Sequence, residues 1–386
     1  MRIAIVSDTF YPQVNGVCNT FGKMVEYMDK KGTDYRFYVP LWEPRVTAND
    51  SDRIFRFDSI KPWFYPECRL AVPNRRNYIK LKNYLDRFQP QILHIATEFS
   101  LGYLALKYAR ESGIPTIMSY HTDIPSYLKY YSFQFVENAV WAYFRWFHSY
   151  AQLNLVPSQS TMAQLQVQEF SNLSFWKRGI DLERFSPSHK QEEIHNQIAL
   201  PGEILLLYVG RISAEKELDV LIEAVRILRD KGLPFKLAMV GDGPYRQELE
   251  SRREPNVVFL GYRNGKELQN IYASADVFVF PSSSETYGNV ILEAMASGLP
   301  VVAPFSGGIR ENLVDGYNGL AFTIANSPDM AVQIERMITE HDTRKRLGEN
   351  AVKSVANKTW ESVFEELFQL YGSFLRDNHK IQKLTA

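Results

Sequence analysis

Two glutamates lie in a stretch whose residue pattern predicts a strand, a loop and a helix in succession. The apolar run 277–280 is typical of a buried parallel strand. A helix is predicted from about Gly288 to Ala296. Glu285 lies in the intervening loop and Glu293 lies on the helix, with seven residues between them. Paired carboxylates in this setting indicate a site for a polar ligand.

The spacing of these two glutamates suits a sugar nucleotide. Ligands of parallel α/β sheets collect beyond the carboxyl ends of strands, and Glu285 follows one. The start of the predicted helix offers the backbone N–H groups of Gly288, Asn289 and Val290 to a phosphate. Glu293 is roughly 7.5 Å further along the helix axis, about the distance from a diphosphate to a ribose. The alternative interpretation is a solvated helix with a surface glutamate.

A pair of cations follows another predicted strand. The run 204–209 is apolar and leads through Gly210 to Arg211 and Lys216, after which a helix is predicted. Two cations at a strand-to-helix junction can neutralise a leaving diphosphate. Solvated surface charges are the alternative.

The amino-terminal half contains two further candidate positions. After the predicted strand 3–6, Asn15-Gly16 is expected to supply a left-handed turn and a close backbone approach before a helix. Such a loop can bind a phosphate or a sugar, although an ordinary turn is the alternative and the dinucleotide pattern G-x-G-x-x-G is absent. His121 follows the predicted strand 114–120, where ligands bind in this architecture. A structural, hydrogen-bonded histidine is the alternative there.

These motifs together resemble retaining GT-B glycosyltransferases of the large family 4 type, which carry an E-x7-E signature. The segments 306–311 and 315–319 match the usual continuation of that signature. The segment 176–181 resembles the branch that contains bacterial α-mannosyltransferases, sulfolipid synthases and diacylglycerol glycosyltransferases. The resemblance implies an α/β GT-B fold with two Rossmann-like, doubly wound parallel-sheet domains facing a cleft. It implies an acceptor domain over 1–185, a nucleotide-sugar domain over 186–360 and a final helix, 361–386, that crosses back.

The resemblance also assigns roles to residues. The implied catalytic residues are His121, Arg211, Lys216 and Glu285. The implied donor-binding residues are Gly16, Gly210, Arg211, Lys216, Tyr262, Arg263, Glu285, Tyr287, Gly288, Asn289, Val290 and Glu293. The implied acceptor-binding residues are Asn15, Val17 and His121, with Val17 standing where the family usually has a second glycine.

The implied reaction is transfer of a hexose from a UDP- or GDP-sugar to a lipid or glycan acceptor, with retention, to give an α-glycoside. No Asp-x-Asp motif lies at a strand end, so Arg211 and Lys216 are expected to replace a metal, and no cofactor is expected. Three other functions are open: a nucleotide-sugar sensor or scaffold without turnover, a glycoside hydrolase that uses the two carboxylates, and a nucleotide-sugar epimerase.

Composition limits the partners and the compartment. Lys plus Arg and Asp plus Glu each number 44, which argues against nucleic acid as a partner. The two cysteines provide no disulfide framework and fit a reducing compartment. The sequence begins in a predicted strand and has no run of about 18 apolar residues, so we expect a cytoplasmic enzyme. A peripheral contact with the inner face of an anionic membrane is a further expectation.

Two segments could make that membrane contact. The segment 61–82 combines basic and aromatic side chains, as surfaces that bind lipid headgroups do, but a solvated helix face explains it equally well. The segment 127–150 is dense in aromatic residues. These could form core packing, an acceptor groove or a membrane-facing helix.

Overall fold

The computed structural model describes residues 1–13, 15–43, 50–62, 69–127 and 134–385, with side chains up to residue 377. The chain divides into two compact units. The first contains Met1–Pro125, Gln134–Lys177 and Val363–Ala386, and the second is built mainly from Arg178–Ser362.

The first unit has a parallel sheet with helices between the strands, and a separate antiparallel sheet formed by Ser59–Ile60 and Leu70–Ala71. Its strands are β1 (Arg2–Val6), β2 (Asp34–Pro40), β3 (Ile54–Phe57), β4 (Ser59–Ile60), β5 (Leu70–Ala71), β6 (Ile92–Ile95), β7 (Thr116–Ser119), β8 (Leu153–Val156) and β9 (Leu173–Phe175). Its helices are α1 (Gly16–Lys30), α2 (Arg75–Phe88), α3 (Ser100–Ser112), α4 (Ile124–Tyr127), α5 (Glu137–His148) and α6 (Gln159–Val167), with a 3₁₀ turn at Gln134–Val136.

The second unit repeats this alternation. Its strands are β10 (Ile204–Val209), β11 (Phe235–Val240), β12 (Val257–Gly261), β13 (Val277–Val279), β14 (Val301–Pro304) and β15 (Gly319–Phe322). Its helices are α7 (Glu192–Ile198), α8 (Leu218–Asp230), α9 (Arg246–Ser251), α10 (Gly265–Ser274), α11 (Asn289–Ala296), α12 (Ser327–Thr339) and α13 (His341–Val355). Short 3₁₀ helices lie at Pro187–His189, Ala214–Lys216 and Gly307–Glu311. The last helix, α14, spans Trp360–Thr385.

Both large sheets are parallel and doubly wound. The first has the strand order β3-β2-β1-β6-β7-β8-β9, and the second has β12-β11-β10-β13-β14-β15. The strand order therefore reverses between β1 and β6 and between β10 and β13. Ligands bind at such reversals in open α/β sheets. The predicted fold class, with two Rossmann-like parallel-sheet domains, is confirmed.

Helices on both faces explain why the strands have continuous apolar sequences. In β10, five of the six residues are buried, because a parallel strand has no solvated face. The apolar side of α8, including Leu218, Leu221 and Val225, joins the same core. This packing fixes the edge of the sheet from which the loops of the site emerge.

The main part of the second unit begins at Arg178, earlier in the chain than the expected start at 186. Ile180 and Phe185 already belong to the core of the second unit. The backbone N–H of Ile180 also donates to Lys358 O at 2.7 Å within that unit.

Helix α14 contributes to the first unit from Val363 onward. The rings of Phe364 and Phe368 lie 5.4 and 5.3 Å from that of Tyr27 on α1. In the described part of the chain, no helix has the length and apolar character needed to span a bilayer.

Candidate active site

An ion pair joins the two loops that leave β10 and β13. Lys216 Nζ contacts Glu285 Oε1, and the two side chains are only 15% and 16% exposed. Because β10 and β13 are the neighbours at which the strand order reverses, this pair lies at the position where a ligand is expected. The structure thus brings together two of the predicted site residues that are 69 positions apart.

Further hydrogen bonds tie the same two loops to each other. The backbone N–H and the hydroxyl of Ser283 donate to the Glu217 carboxylate at 3.2 and 2.6 Å. The Ser284 hydroxyl donates to Glu215 O at 3.2 Å. The loop that carries Glu285 is therefore held on one side by the loop that carries Lys216.

On its other side, the Glu285 loop rests on the loop after β14. The backbone N–H of Gly308 donates to Glu285 O at 2.6 Å, and the Ser306 hydroxyl donates to Ser283 O at 3.1 Å. A Cβ on Gly308 would lie 2.3 Å from Thr286 O, closer than van der Waals contact allows. A glycine is needed here because the two backbones are in direct contact.

The start of the Arg211 loop has a similar close approach. Gly241 adopts φ +140°, and a Cβ there would lie 1.8 Å from Gly210 O. The Tyr208 hydroxyl donates to Arg211 O at 2.9 Å from below the loop. Arg211 is half-buried at this junction.

The second glutamate of the predicted pair lies on α11 and bonds to a tyrosine. The Tyr272 hydroxyl on α10 donates to Glu293 Oε2 at 2.9 Å. Burial raises the pKa of Glu293 to about 7, even though the Tyr272 hydrogen bond and the Arg184 charge both lower it. Part of the Glu293 residue remains exposed, but its carboxyl is enclosed strongly enough for desolvation to outweigh both partners.

The helix that carries Glu293 begins immediately after a left-handed glycine. Gly288 has φ +81° and precedes α11, whose first residues are Asn289 and Val290. Tyr287 is buried, with 5% exposure. The first backbone N–H groups of a helix point away from its body, so this end of α11 can accept an anion.

The two residues predicted near a nucleotide base follow β12. Tyr262 is 49% exposed, and the Arg263 guanidinium forms an ion pair with Glu267 at 2.9 Å. Both lie on the second unit.

The remaining predicted residues belong to the first unit. The expected left-handed turn at Asn15-Gly16 was wrong: Asn15 is extended, with φ −163°, and its side chain caps α1 by accepting from Cys18 N at 2.9 Å. Gly16 is the first residue of that helix, and Val17 is half-buried behind it. An asparagine immediately before a helix commonly takes this role, which explains the difference.

His121 is buried, with 8% exposure, just beyond β7. Its Nε2 lies 2.9 Å from the Ser119 hydroxyl. Its ring packs at right angles against those of Trp176 and Phe21, with centroids 5.2 and 5.6 Å away.

Several cations of the basic segment 61–82 have protein partners elsewhere in the part of the chain that the structure describes. Arg69 pairs with Glu43, Arg76 with Asp58 and Lys82 with Asp86. Lys80 donates to Arg56 O at 2.7 Å. Trp63, Phe64, Tyr65 and Glu67 lie outside the described residues. The described cations thus favour the solvated-surface interpretation of this segment.

The aromatic side chains of segment 127–150 that lie on α5 divide into a buried set and a partly exposed set. Trp141, Phe144 and Phe147 are buried, whereas Tyr143 and Trp146 are 36% and 37% exposed. Trp146 lies 5.8 Å from Tyr143 and 6.5 Å from the exposed Tyr103 of α3, measured between ring centroids. Tyr130, Tyr131 and Phe133 lie outside the described residues. The first set is core, and the second forms a small surface cluster that we call the aromatic patch (Tyr103, Tyr143 and Trp146).

Several residues that shape the site were missing from the sequence-based prediction. They are Tyr208, Glu217, Tyr272 and Arg184, together with the loop residues Ser283 and Ser306. Glu217 had a usable signal, since it is a further charged residue directly after Lys216. Tyr272 had none, because it occurs in an ordinary helical sequence. Within the described ranges, no three His, Cys, Asp or Glu side chains are grouped as metal ligands would be.

Comparison with known proteins identifies relatives of this chain. The family model for "Glycosyltransferase Family 4" matches residues 14–184, and that for "Glycosyl transferases group 1" matches residues 190–354. The chain is 35% identical over 379 residues to a GDP-mannose-dependent alpha-mannosyltransferase of Mycobacterium tuberculosis, covering 96% of each chain. It is 31% identical to an alpha-monoglucosyldiacylglycerol synthase of Streptococcus pneumoniae, covering 78% of this chain and 71% of that protein.

The fold matches a solved structure as well. Sucrose-phosphate synthase from Thermosynechococcus elongatus superimposes with a TM-score of 0.78 at 22% identity, covering 97% of this chain and 99% of that one. The predicted family is confirmed: the chain belongs to the GT-B glycosyltransferases of family 4 and group 1, and it is an enzyme of the glycosyltransferase class.

Proposed function

We propose that this glycosyltransferase moves a hexose from a nucleoside-diphosphate sugar to a lipid or glycan acceptor, with retention and without a metal ion. The observation that carries the proposal is the Lys216–Glu285 pair at the reversal point of the second sheet. A cation and a carboxylate fixed side by side suit the two halves of such a donor. The cation suits the diphosphate, and the carboxylate suits the sugar hydroxyls.

In this proposal each residue has a separate role. Arg211 and Lys216 neutralise the charge that develops on the leaving diphosphate. Glu285 accepts hydrogen bonds from hydroxyls of the transferred sugar, and Glu293 accepts them from the ribose. The start of α11 binds a phosphate oxygen. On the first unit, His121 contacts the transferred sugar.

The proposed transfer takes place on one face of the sugar. The bond between the anomeric carbon and the phosphate oxygen breaks, and the acceptor oxygen bonds to the same face of that carbon. The acceptor proton passes to the leaving phosphate oxygen, so no protein base is required. A covalent glycosyl adduct trapped on Glu285 would contradict this route.

The relatives suggest which donor to test first. The Mycobacterium tuberculosis relative is named for GDP-mannose, and it matches over nearly its whole length. We therefore propose GDP-mannose as the donor, with UDP-glucose as the second candidate. In this proposal Tyr262 and Arg263, which follow β12, contact the base.

The acceptor is proposed to be a lipid at the cytoplasmic face of a membrane. The Streptococcus pneumoniae relative is named as a synthase of a glucosyldiacylglycerol. The aromatic patch exposes the type of side chain that inserts at a membrane interface. Arg110 lies 4.6 Å from the ring of Tyr150 beside it, which adds a positive charge suited to anionic headgroups.

The test is a donor panel of GDP- and UDP-hexoses, assayed in EDTA with and without vesicles that contain diacylglycerol and an anionic lipid. We expect turnover of one donor, stimulation by vesicles and an α-linked product by NMR. Lys216→Ala should abolish turnover, whereas Lys345→Ala, at an exposed position on α13, should not.

Other outcomes identify the alternatives. Turnover without vesicle dependence would indicate a soluble glycan acceptor. Turnover lost in EDTA and restored by a divalent cation would refute metal independence. Nucleotide binding without turnover would favour the sensor, and release of sugar from an aryl glycoside without nucleotide would favour the hydrolase.

A further inference from the structure

A chain of buried hydrogen bonds in the first unit leads from the last helix to His121. The Tyr371 hydroxyl on α14 lies 2.7 Å from His94 Nδ1. His94 Nε2 on β6 lies 3.0 Å from the Ser119 hydroxyl on β7. The same hydroxyl lies 2.9 Å from His121 Nε2. Three elements that are distant in sequence thus meet behind one site residue.

All four groups of this chain are enclosed. Tyr371 and His94 are fully buried, Ser119 is 1% exposed and His121 is 8% exposed. The ring of Trp176 lies 5.4 Å from that of His94 and 5.2 Å from that of His121, so one indole covers both imidazoles. The direction of each hydrogen bond in this series therefore depends on the adjacent groups of the series.

Tyr371 and His94, the first two groups of this series, determine the direction in which the protons point. Burial lowers the pKa of His94 to about 3, so its ring is neutral and has one donor and one acceptor nitrogen. Burial also raises the pKa of Tyr371, so its hydroxyl keeps its proton. Among the described residues, the Tyr371 hydroxyl is hydrogen-bonded to His94 Nδ1.

If Tyr371 accepted a hydrogen bond from His94 instead, its own buried O–H would have no acceptor in this set of contacts, which is unfavourable. Tyr371 therefore donates to His94 Nδ1, and His94 Nε2–H donates to Ser119. By the same reasoning the buried Ser119 O–H needs an acceptor, which His121 Nε2 supplies when it carries no proton.

We infer that Tyr371, His94 and Ser119 are positioning residues that hold His121 in the tautomer with its proton on Nδ1. In this tautomer Nδ1 is the donor nitrogen of His121 and Nε2 is its acceptor nitrogen. The use of this donor rests on the proposed function, in which His121 contacts the transferred sugar. The tautomer itself does not depend on that function.

The first test is NMR of the ring nitrogens in the full-length protein labelled with ¹⁵N-histidine. The chain has seven histidines, and the His121 signals are assigned by their loss in His121→Asn. We expect a protonated Nδ1 and an unprotonated Nε2 in the wild type. Ser119→Ala should shift His121 away from this tautomer, and Ser119→Thr, which keeps the hydroxyl, should preserve it.

Tyr371→Phe tests the far end of the chain. It should produce a mixture of His121 tautomers, because His94 is then free to reverse. Tyr108→Phe on α3 is the matched control: the Tyr108 hydroxyl donates to Asp86 on α2 at 2.9 Å and has no part in this series of hydrogen bonds. A wild-type His121 with a protonated Nε2, or an unchanged His121 in Ser119→Ala, would overturn the inference.

Kinetics test whether the tautomer matters for transfer. Ser119→Ala and Tyr371→Phe should lower kcat about tenfold, while the Kd of the nucleoside diphosphate stays unchanged, because the proposed nucleotide contacts lie on the second unit. Tyr108→Phe should keep the wild-type kcat. Unchanged kcat in both variants would refute the positioning role. Absence of turnover in the wild type would refute the proposed function, while the NMR result would still decide the tautomer.

Discussion

Replacing Glu293 by glutamine should make the ligand-free protein more stable at neutral and alkaline pH. The Glu293 carboxyl is enclosed between α10 and α11, and its pKa is raised from 4.5 to about 7. Glutamine has nearly the same shape and can accept the Tyr272 hydrogen bond through its amide oxygen. The substitution therefore removes an ionisation with little change in packing.

The size and sign of the effect follow from the two pKa values. Below pH 4.5 the carboxyl is protonated in both the folded and the unfolded protein, so ionisation has no effect on stability. As the pH rises toward 7, the unfolded chain ionises first, and the free energy of unfolding falls until the folded form ionises too. At about 1.36 kcal/mol per pKa unit, the wild type should lose roughly 2.5 kcal/mol between pH 5 and pH 8 through this group.

The assay is denaturant unfolding of the wild type and Glu293→Gln at pH 5, 6, 7 and 8. The difference between the two proteins should grow in favour of the variant by about 2.5 kcal/mol over this range and level off above pH 7. Glu349→Gln, at an exposed position on α13, is the control and should parallel the wild type.

The same ionisation should control donor affinity if Glu293 binds the ribose. The carboxylate accepts hydroxyl hydrogen bonds better than the acid does, so wild-type affinity for a nucleoside-diphosphate sugar should fall about tenfold from pH 8 to pH 6. Glu293→Gln should bind more weakly at pH 8 and show a flat profile. Stability curves of wild type and variant that stay parallel from pH 5 to pH 8 would refute the reasoning.

Two further predictions concern the loops of the site. Lys216→Ala should destabilise the second unit by about 2 kcal/mol, because it removes the cation that pairs with the mostly buried Glu285 carboxylate. The double variant Lys216→Ala/Glu285→Gln should recover stability but not turnover. Denaturant melts and a turnover assay check this, and a double variant no more stable than Lys216→Ala would contradict it. Gly308→Ala should weaken donor binding at least tenfold, about 1.4 kcal/mol or more, because its Cβ would lie 2.3 Å from Thr286 O. Gly22→Ala, in α1 with open space around its Cβ, should leave binding unchanged, and wild-type affinity in both variants would show that the loop contact is unimportant.

Most of the fold could be predicted because each strand carries its own signal. The apolar runs that became β10 and β13 are continuous, as strands covered on both faces must be. The local pattern therefore predicts that the loops after them lie at carboxyl strand ends, because the topology of such sheets is restricted. The assignment of Lys216 and Glu285 to one site comes from the family resemblance.

Contacts between distant helices had no comparable signal. Tyr272 holds Glu293 from a helix 21 positions earlier, and nothing in its own sequence context predicts this. His94 did give a hint, because a histidine in the apolar strand Ile92–Ile95 must find a polar partner. That partner is Tyr371, which lies 277 positions after His94 in the sequence. Only the three-dimensional structure could connect them.

The position of Glu285 illustrates why residues that touch no substrate belong to the site. Its loop is clamped by Glu217 from the loop after β10 and by Gly308 from the loop after β14. The strands β10, β13 and β14 are adjacent, so the three loops leave the sheet at neighbouring positions about 4.8 Å apart. The position of the carboxylate is therefore fixed through the sheet and the neighbouring loops, and not by its own loop alone. It follows that enlarging Gly308 should move Glu285 as effectively as changing a residue in direct contact with it.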